Sequence, residues 1–137
     1  MQRRFLWISA VTASLVAVGV ILQLYFITSW LFGGAGLDVH RTTGMVVWGL
    51  GIAAGISGLV AYWRGWRKMG VSIALPVVTE IQVILVGSIE NPSENVSGWI
   101  HGLHGGLAIV VFLLAAWIAR RDFAALGVRA GERPAPA

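Results

Sequence analysis

The chain has no cysteine, and charged residues make up only 12% of its 137 positions. The first absence excludes a disulfide framework, a thiolate metal site, an iron–sulfur cluster and covalent haem attachment, so any cofactor has to be held by His, Met or carboxylate. The second, together with 57% apolar residues and a mean hydropathy of +0.79, leaves too little polar material to cover a water-soluble ball. The sequence also has no P-loop, no usable Ser-His-Asp set and no paired carboxylates at one depth. Ten Lys+Arg against six Asp+Glu give a pI of about 10.7. These charges fall in short clusters between long apolar runs, so no nucleic-acid partner is expected.

Four apolar runs are long enough to cross a hydrocarbon core of about 30 Å at about 1.5 Å per helical residue. They cover roughly Phe5–Leu31, Val39–Trp63, Met69–Ile89 and Gly98–Ala119, each bounded by Gly, Pro or charge. The expected class is all-α, an integral membrane four-helix bundle over residues 1–121 whose partner is the lipid bilayer. A short cytoplasmic tail over 122–137, rich in Ala, Pro, Gly and Arg from Gly127 on, has nothing to bury and is expected to be disordered. The first run is too long for a signal-peptide core and lacks a small-x-small cleavage site, so it reads as a retained helix, and Arg3-Arg4 does not read as an export signal.

Arg3 and Arg4, then Arg64, Arg67 and Lys68, then Arg120 and Arg121 fall on one side, while the opposite loops hold Asp38, Arg41, Glu90 and Glu94. The positive-inside rule therefore predicts both termini in the cytoplasm. Trp7, Trp63, Trp66 and Trp117 mark the inner headgroup level and Trp30 and Trp99 the outer one.

A repeat runs through the chain. Gln23 precedes an outer loop and then His40, and Gln82 precedes an outer loop and then His101 and His104. Each half runs in, out and in again, so the halves would be parallel helical-hairpin repeats with the second and fourth helices in equivalent positions.

All three histidines open helices that enter from the outer side, and ionisable groups inside membrane spans tend to face a bundle interior or cavity. Two imidazoles from opposite sides of a bundle are a usual axial pair for a b-type haem. From His40 one helical face continues through Gly44, Val47, Gly51, Gly55 and Gly58; from His104 it continues through Ala108, Val111 and Ala115, with Gly105 and Gly106 next to the ligand. Such glycines suit either a flat macrocycle or plain helix contact of the small-xxx-small kind. His101 and His104 lie three apart, so with His40 they could instead form a three-His zinc or copper site. His101 could also face the outer surface or a haem propionate, and Arg41 could be a propionate partner or an interface charge.

Leu37-Asp38-Val39-His40-Arg41 and Leu103-His104-Gly105-Gly106 resemble segments of a family of small uncharacterised four-helix bacterial membrane proteins with an Asp-x-His-Arg motif. More distantly the chain is similar to one half of haem A synthase, whose four-helix halves carry haem-ligating histidines at the outer ends of their second and fourth helices. That resemblance implies His40 and His104 as the ligand pair. The family's catalytic Glu, three residues before the second-helix His, is Leu37 here, which puts hydroxylation in doubt, and the chain has only one half of that enzyme.

Glu80 falls near the middle of the third span, one turn after Pro76. It reads as a proton-path or quinone contact, or as a neutral acid bonded to Gln23, Gln82 or a Thr within the bundle. Asn95-Val96-Ser97 fits a glycosylation sequon that is expected to be inert in a bacterial chain.

The expected function is bis-His binding of one b-type haem near the outer face of a bacterial inner-membrane protein, in electron transfer or haem handling. A quinol or redox protein would complete the circuit. The alternatives are a non-catalytic accessory subunit docked on a larger membrane complex, with no cofactor, and the three-His zinc or copper site. A homodimer would be needed to bring two haems together.

Overall fold

The structure, a computed structural model, describes residues 2–34, 36–89 and 98–128. These form four helices, α1 (Gln2–Leu31), α2 (Leu37–Ala61), α3 (Trp66–Ile89) and α4 (Gly98–Ala125), all long and apolar enough to cross a membrane. Glu90, Glu94 and the Asn95 sequon lie outside the described residues.

Three of the helices begin two or three residues before the expected apolar runs, and α1 and α4 stop where the backbone is turned. Gly33 at φ +79° ends α1: its N–H bonds the Trp30 carbonyl at 3.0 Å and the Gly34 N–H bonds that of Ser29 at 2.8 Å. Gly127 at φ +81° closes α4 the same way, with Val128 N–H on the Phe123 carbonyl at 2.9 Å. A residue with a Cβ resists that left-handed conformation, which is why glycine stands at both stops.

Consecutive helices pack around a ring, α1 on α2, α2 on α3, α3 on α4 and α4 back on α1, leaving α1/α3 and α2/α4 as diagonals. Neighbours are antiparallel. Between α1 and α2 the bonded partners run Gln2 with Ala61, Ser9 with Ala54 and Gln23 with His40, one number falling as the other rises. The start of α1, the end of α2, the start of α3 and the end of α4 therefore share one end of the bundle, and the basic clusters share it with them.

The core is small-residue and aliphatic: Ala13, Val16, Val20, Val47, Ala54, Leu75, Val111, Ala115 and Ile118. It fills the middle and the basic end. The outward surface is lined by large apolar side chains such as Leu15, Val18, Ile84 and Leu113, and all six boundary tryptophans are exposed. A water-soluble bundle would reverse this distribution, whereas hydrocarbon rewards it.

Helix α4 runs past the expected boundary at Arg121 to Ala125, and Asp122, expected in the tail, is fully buried. Residues 129–137 of that tail lie outside the described residues.

Candidate functional site

His40 is the fourth residue of α2, and His101 and His104 are the fourth and seventh of α4. All three therefore lie toward the end of the bundle opposite the basic clusters. His40 is half-buried, with Nδ1 3.2 Å from the Gln23 backbone carbonyl. A carbonyl only accepts, so Nδ1 carries the proton and Nε2 keeps the lone pair that a metal would use. Gln23 answers by donating its Nε2 to the His40 carbonyl at 2.9 Å. Four residues later Gly44 lies against the same Gln23 side chain, where an added Cβ would be 3.5 Å from Nε2. Gly44 is thus turned toward α1.

His104 is half-buried on α4. Its Nδ1 is buried without a hydrogen-bond partner among the described residues, as is Gln82 Oε1. Two buried polar atoms left unmet on adjoining helices cost free energy unless something else meets them. Around them α4 is open: an added Cβ at Gly102, Gly105 or Gly106 would have no neighbour within 4 Å. His101 is exposed. Arg41 forms a 3.8 Å ion pair with Asp38, whose side chain is 95% exposed, so that pair lies on the surface.

The deeper glycines of α2 do not line a slot. At Gly51 an added Cβ would come within 3.2 Å of Thr79 Oγ1, at Gly55 within 2.6 Å of Pro76 Cγ and 3.0 Å of the Ser72 carbonyl, and at Gly58 within 2.8 Å of Ser72 Cβ. Their missing side chains let α2 approach α3 at Pro76, whose lack of an N–H leaves the Ser72 carbonyl without its helical donor. Of the two readings of the stripe, helix contact is the one that applies below Gly44. Two surface clefts of about 270 and 320 Å³ lie elsewhere, one by Leu6 and Leu126 and one by Asp38 and Val46. Among the described residues no three His, Asp or Glu converge as a group able to hold a metal ion.

Glu80 is not inside the bundle. It is exposed on the outer surface of α3 and accepts the Trp48 indole N–H at 2.8 Å, in place of the expected Gln or Thr partner. The sequence distinguishes depth along a helix but not azimuth, and here the azimuth points outward.

A second polar cluster, at the basic end, has no counterpart in the sequence expectations. Asp122 Oδ1 accepts the Tyr62 hydroxyl at 2.8 Å and Arg121 Nε at 2.6 Å. The same guanidinium donates to the Lys68 carbonyl at 2.9 Å and the Ser72 hydroxyl at 3.1 Å, and lies 4.3 Å from the Tyr62 ring centroid. Tyr62 follows the last residue of α2, and burial, then the Asp122 carboxylate, pushes its hydroxyl up to about 12. The cluster ties α2, α3 and α4 together where they leave the apolar zone. Its sequence signal was the buried stripe Val111, Ala115 and Ile118, which at helical spacing reaches Asp122 next.

The class these observations define is a four-helix bundle whose helices are long and apolar enough to cross a membrane, with three histidines toward one end. Compared with known proteins, the chain matches no family model, no curated sequence and no solved structure.

Proposed function

We propose that this protein binds one b-type haem through His40 and His104 near the outer face of the bacterial cytoplasmic membrane, in electron transfer or haem handling. The observation that carries the reading is the matched setting of the two imidazoles. Each opens a helix on one diagonal of the bundle and each follows a Gln in the preceding helix; His40 bonds the Gln23 carbonyl, while His104 Nδ1 is buried with no partner among the described residues. That matched setting also supports two parallel hairpin repeats, and the shared end of the basic clusters supports an N-in, C-in orientation.

The residues present fit a haem in part. His40 has its Nε2 lone pair available, and α4 has open space beside His104 at Gly105, while the α2 glycines below Gly44 are committed to α3. Haem would supply a one-electron couple. This chain's own residues would hold it: Gln23 fixes the tautomer and direction of His40, and the aliphatic layer at Val47 and Val111 closes the site off from the basic end. Leu37, where the haem A synthase resemblance would need Glu, argues for a redox or carrier role over hydroxylation.

The test is direct. Purified in mild detergent, the protein should show a Soret band with alpha and beta bands that sharpen on reduction. A colourless protein that co-purifies in fixed ratio with a larger membrane complex would replace this reading with that of an accessory subunit.

A further inference from the structure

We propose that the cleft between the start of α1 and the end of α4 holds the phosphate headgroup of an anionic phospholipid, drawn from the leaflet at the basic end of the bundle. The cleft has a volume of about 270 Å³ and is lined by Gln2, Arg3, Leu6, Ala125 and Leu126. Gln2, Arg3 and Ala125 are exposed, so it opens to the surroundings of the bundle and not into the core.

Charge names the class of ligand. Asp122, the one acid among the described residues at this end, is fully buried and already accepts from Arg121 and Tyr62. Arg3, Arg4, Arg64, Arg67 and Arg120 form no ion pair with a carboxylate among the described residues. Of these, Arg3 lines the cleft. A guanidinium matches two oxygens of a phosphate with two parallel N–H donors. Basic pockets between membrane helices take lipid headgroups on these grounds.

The apolar part of the cleft selects a lipid over a free phosphate. Leu6 of α1 is buried three residues after Arg3, and half-buried Leu126 shares the lining with it. One turn beyond Arg3, Trp7 meets Phe123 of α4 edge-on, with ring centroids 5.6 Å apart. Gln2 is held at the rim by its amide, which donates to the Ala61 carbonyl at 2.8 Å. Cation first, aliphatic floor next and indole beyond repeat the order of phosphate, glycerol and acyl chain met on entering a bilayer. Inorganic phosphate would use only the first of these. This proposal is independent of the haem reading.

The test uses the full chain, purified in mild detergent, stripped of lipid and titrated with single phospholipids, with bound lipid counted by native mass spectrometry. One phosphatidylglycerol should bind about tenfold more tightly than phosphatidylcholine, which has the same phosphate but no net charge. Arg3→Gln should weaken that binding about fivefold, the share of one arginine near an anionic headgroup. Arg67→Gln removes the same charge from the start of α3, on the other end of a diagonal from α1, and should bind phosphatidylglycerol as the wild type does. Ala125→Trp fills the cleft with every charge in place and should block the lipid. Arg3 and Ala125 are exposed, so both variants should melt as the wild type does. Equal affinity for the two lipids, equal losses in Arg3→Gln and Arg67→Gln, undiminished binding in Ala125→Trp, or displacement of the lipid by an equal concentration of inorganic phosphate overturns the proposal.

Discussion

Gln23 and His40 hold each other twice, the ring Nδ1 on the Gln23 backbone carbonyl at 3.2 Å and the Gln23 side-chain amide on the His40 carbonyl at 2.9 Å. His40 is in the first turn of α2, and the double contact ties its imidazole to α1. Preorganisation of this kind lowers the cost of binding.

If the two imidazoles are the axial pair, His40→Ala and His104→Ala each lose the low-spin absorption spectrum, and His101→Ala keeps most of it because that side chain is exposed. Gln23→Leu removes the amide but not the backbone carbonyl, so the haem should be retained with a broadened spectrum and a stability loss of about 1 kcal/mol. Retention of the full spectrum in His104→Ala with loss in His101→Ala would reassign the second ligand.

The glycines separate into two classes with opposite phenotypes. Gly55→Leu drives a side chain into Pro76 and the Ser72 carbonyl, and should cost about 1–3 kcal/mol in thermal unfolding while any haem spectrum per folded protein stays unshifted. At Gly105 an added Cβ has nothing within 4 Å, so Gly105→Leu should leave the melting temperature within error. If α4 walls the haem, the same change displaces the cofactor; an unshifted Soret band in Gly105→Leu would put the haem off that face.

The buried cluster at the basic end should behave as a unit. Asp122→Ala leaves the Arg121 guanidinium, 12% exposed, without its carboxylate and should cost about 3–5 kcal/mol. Tyr62→Phe removes one donor to Asp122 Oδ1 and should cost about 1–2 kcal/mol. Folding raises the Tyr62 hydroxyl from 10.0 to about 12, so the stability it contributes is complete below about pH 10 and is lost as pH rises through about 12. Alkaline melting curves should show that loss in the wild type, and Tyr62→Phe should remove it.

For orientation, single cysteines at Phe32, 88% exposed between α1 and α2, and at Gly65, between α2 and α3, should react with a membrane-impermeant reagent from opposite faces. Phe32→Cys should label on intact cells and Gly65→Cys only after lysis. The reverse pattern would invert the topology and move the histidines to the cytoplasmic side.

The sequence by itself determined that the chain is four apolar helices, because span length, turn glycines and the clustering of charge are local properties read along one coordinate. The same one-dimensional reading put His40 and His104 at the heads of α2 and α4 and Gln23 and Gln82 one loop before them. Tertiary structure decided everything that depends on azimuth. A glycine stripe has the same spacing whether it faces a macrocycle or a helix, and only the approach of α3 assigns Gly51, Gly55 and Gly58 to Thr79, Pro76 and Ser72. Glu80 has the same depth whether it points in or out, and its bond to Trp48 exists because α2 and α3 run antiparallel with those two residues level. Asp122 fell in the expected tail because it follows Arg120 and Arg121, which mark the basic boundary in the sequence. What makes its burial tolerable is Arg121 beside it and Tyr62 from α2, sixty residues earlier in the chain, and that distant donor is legible only once the helices are packed.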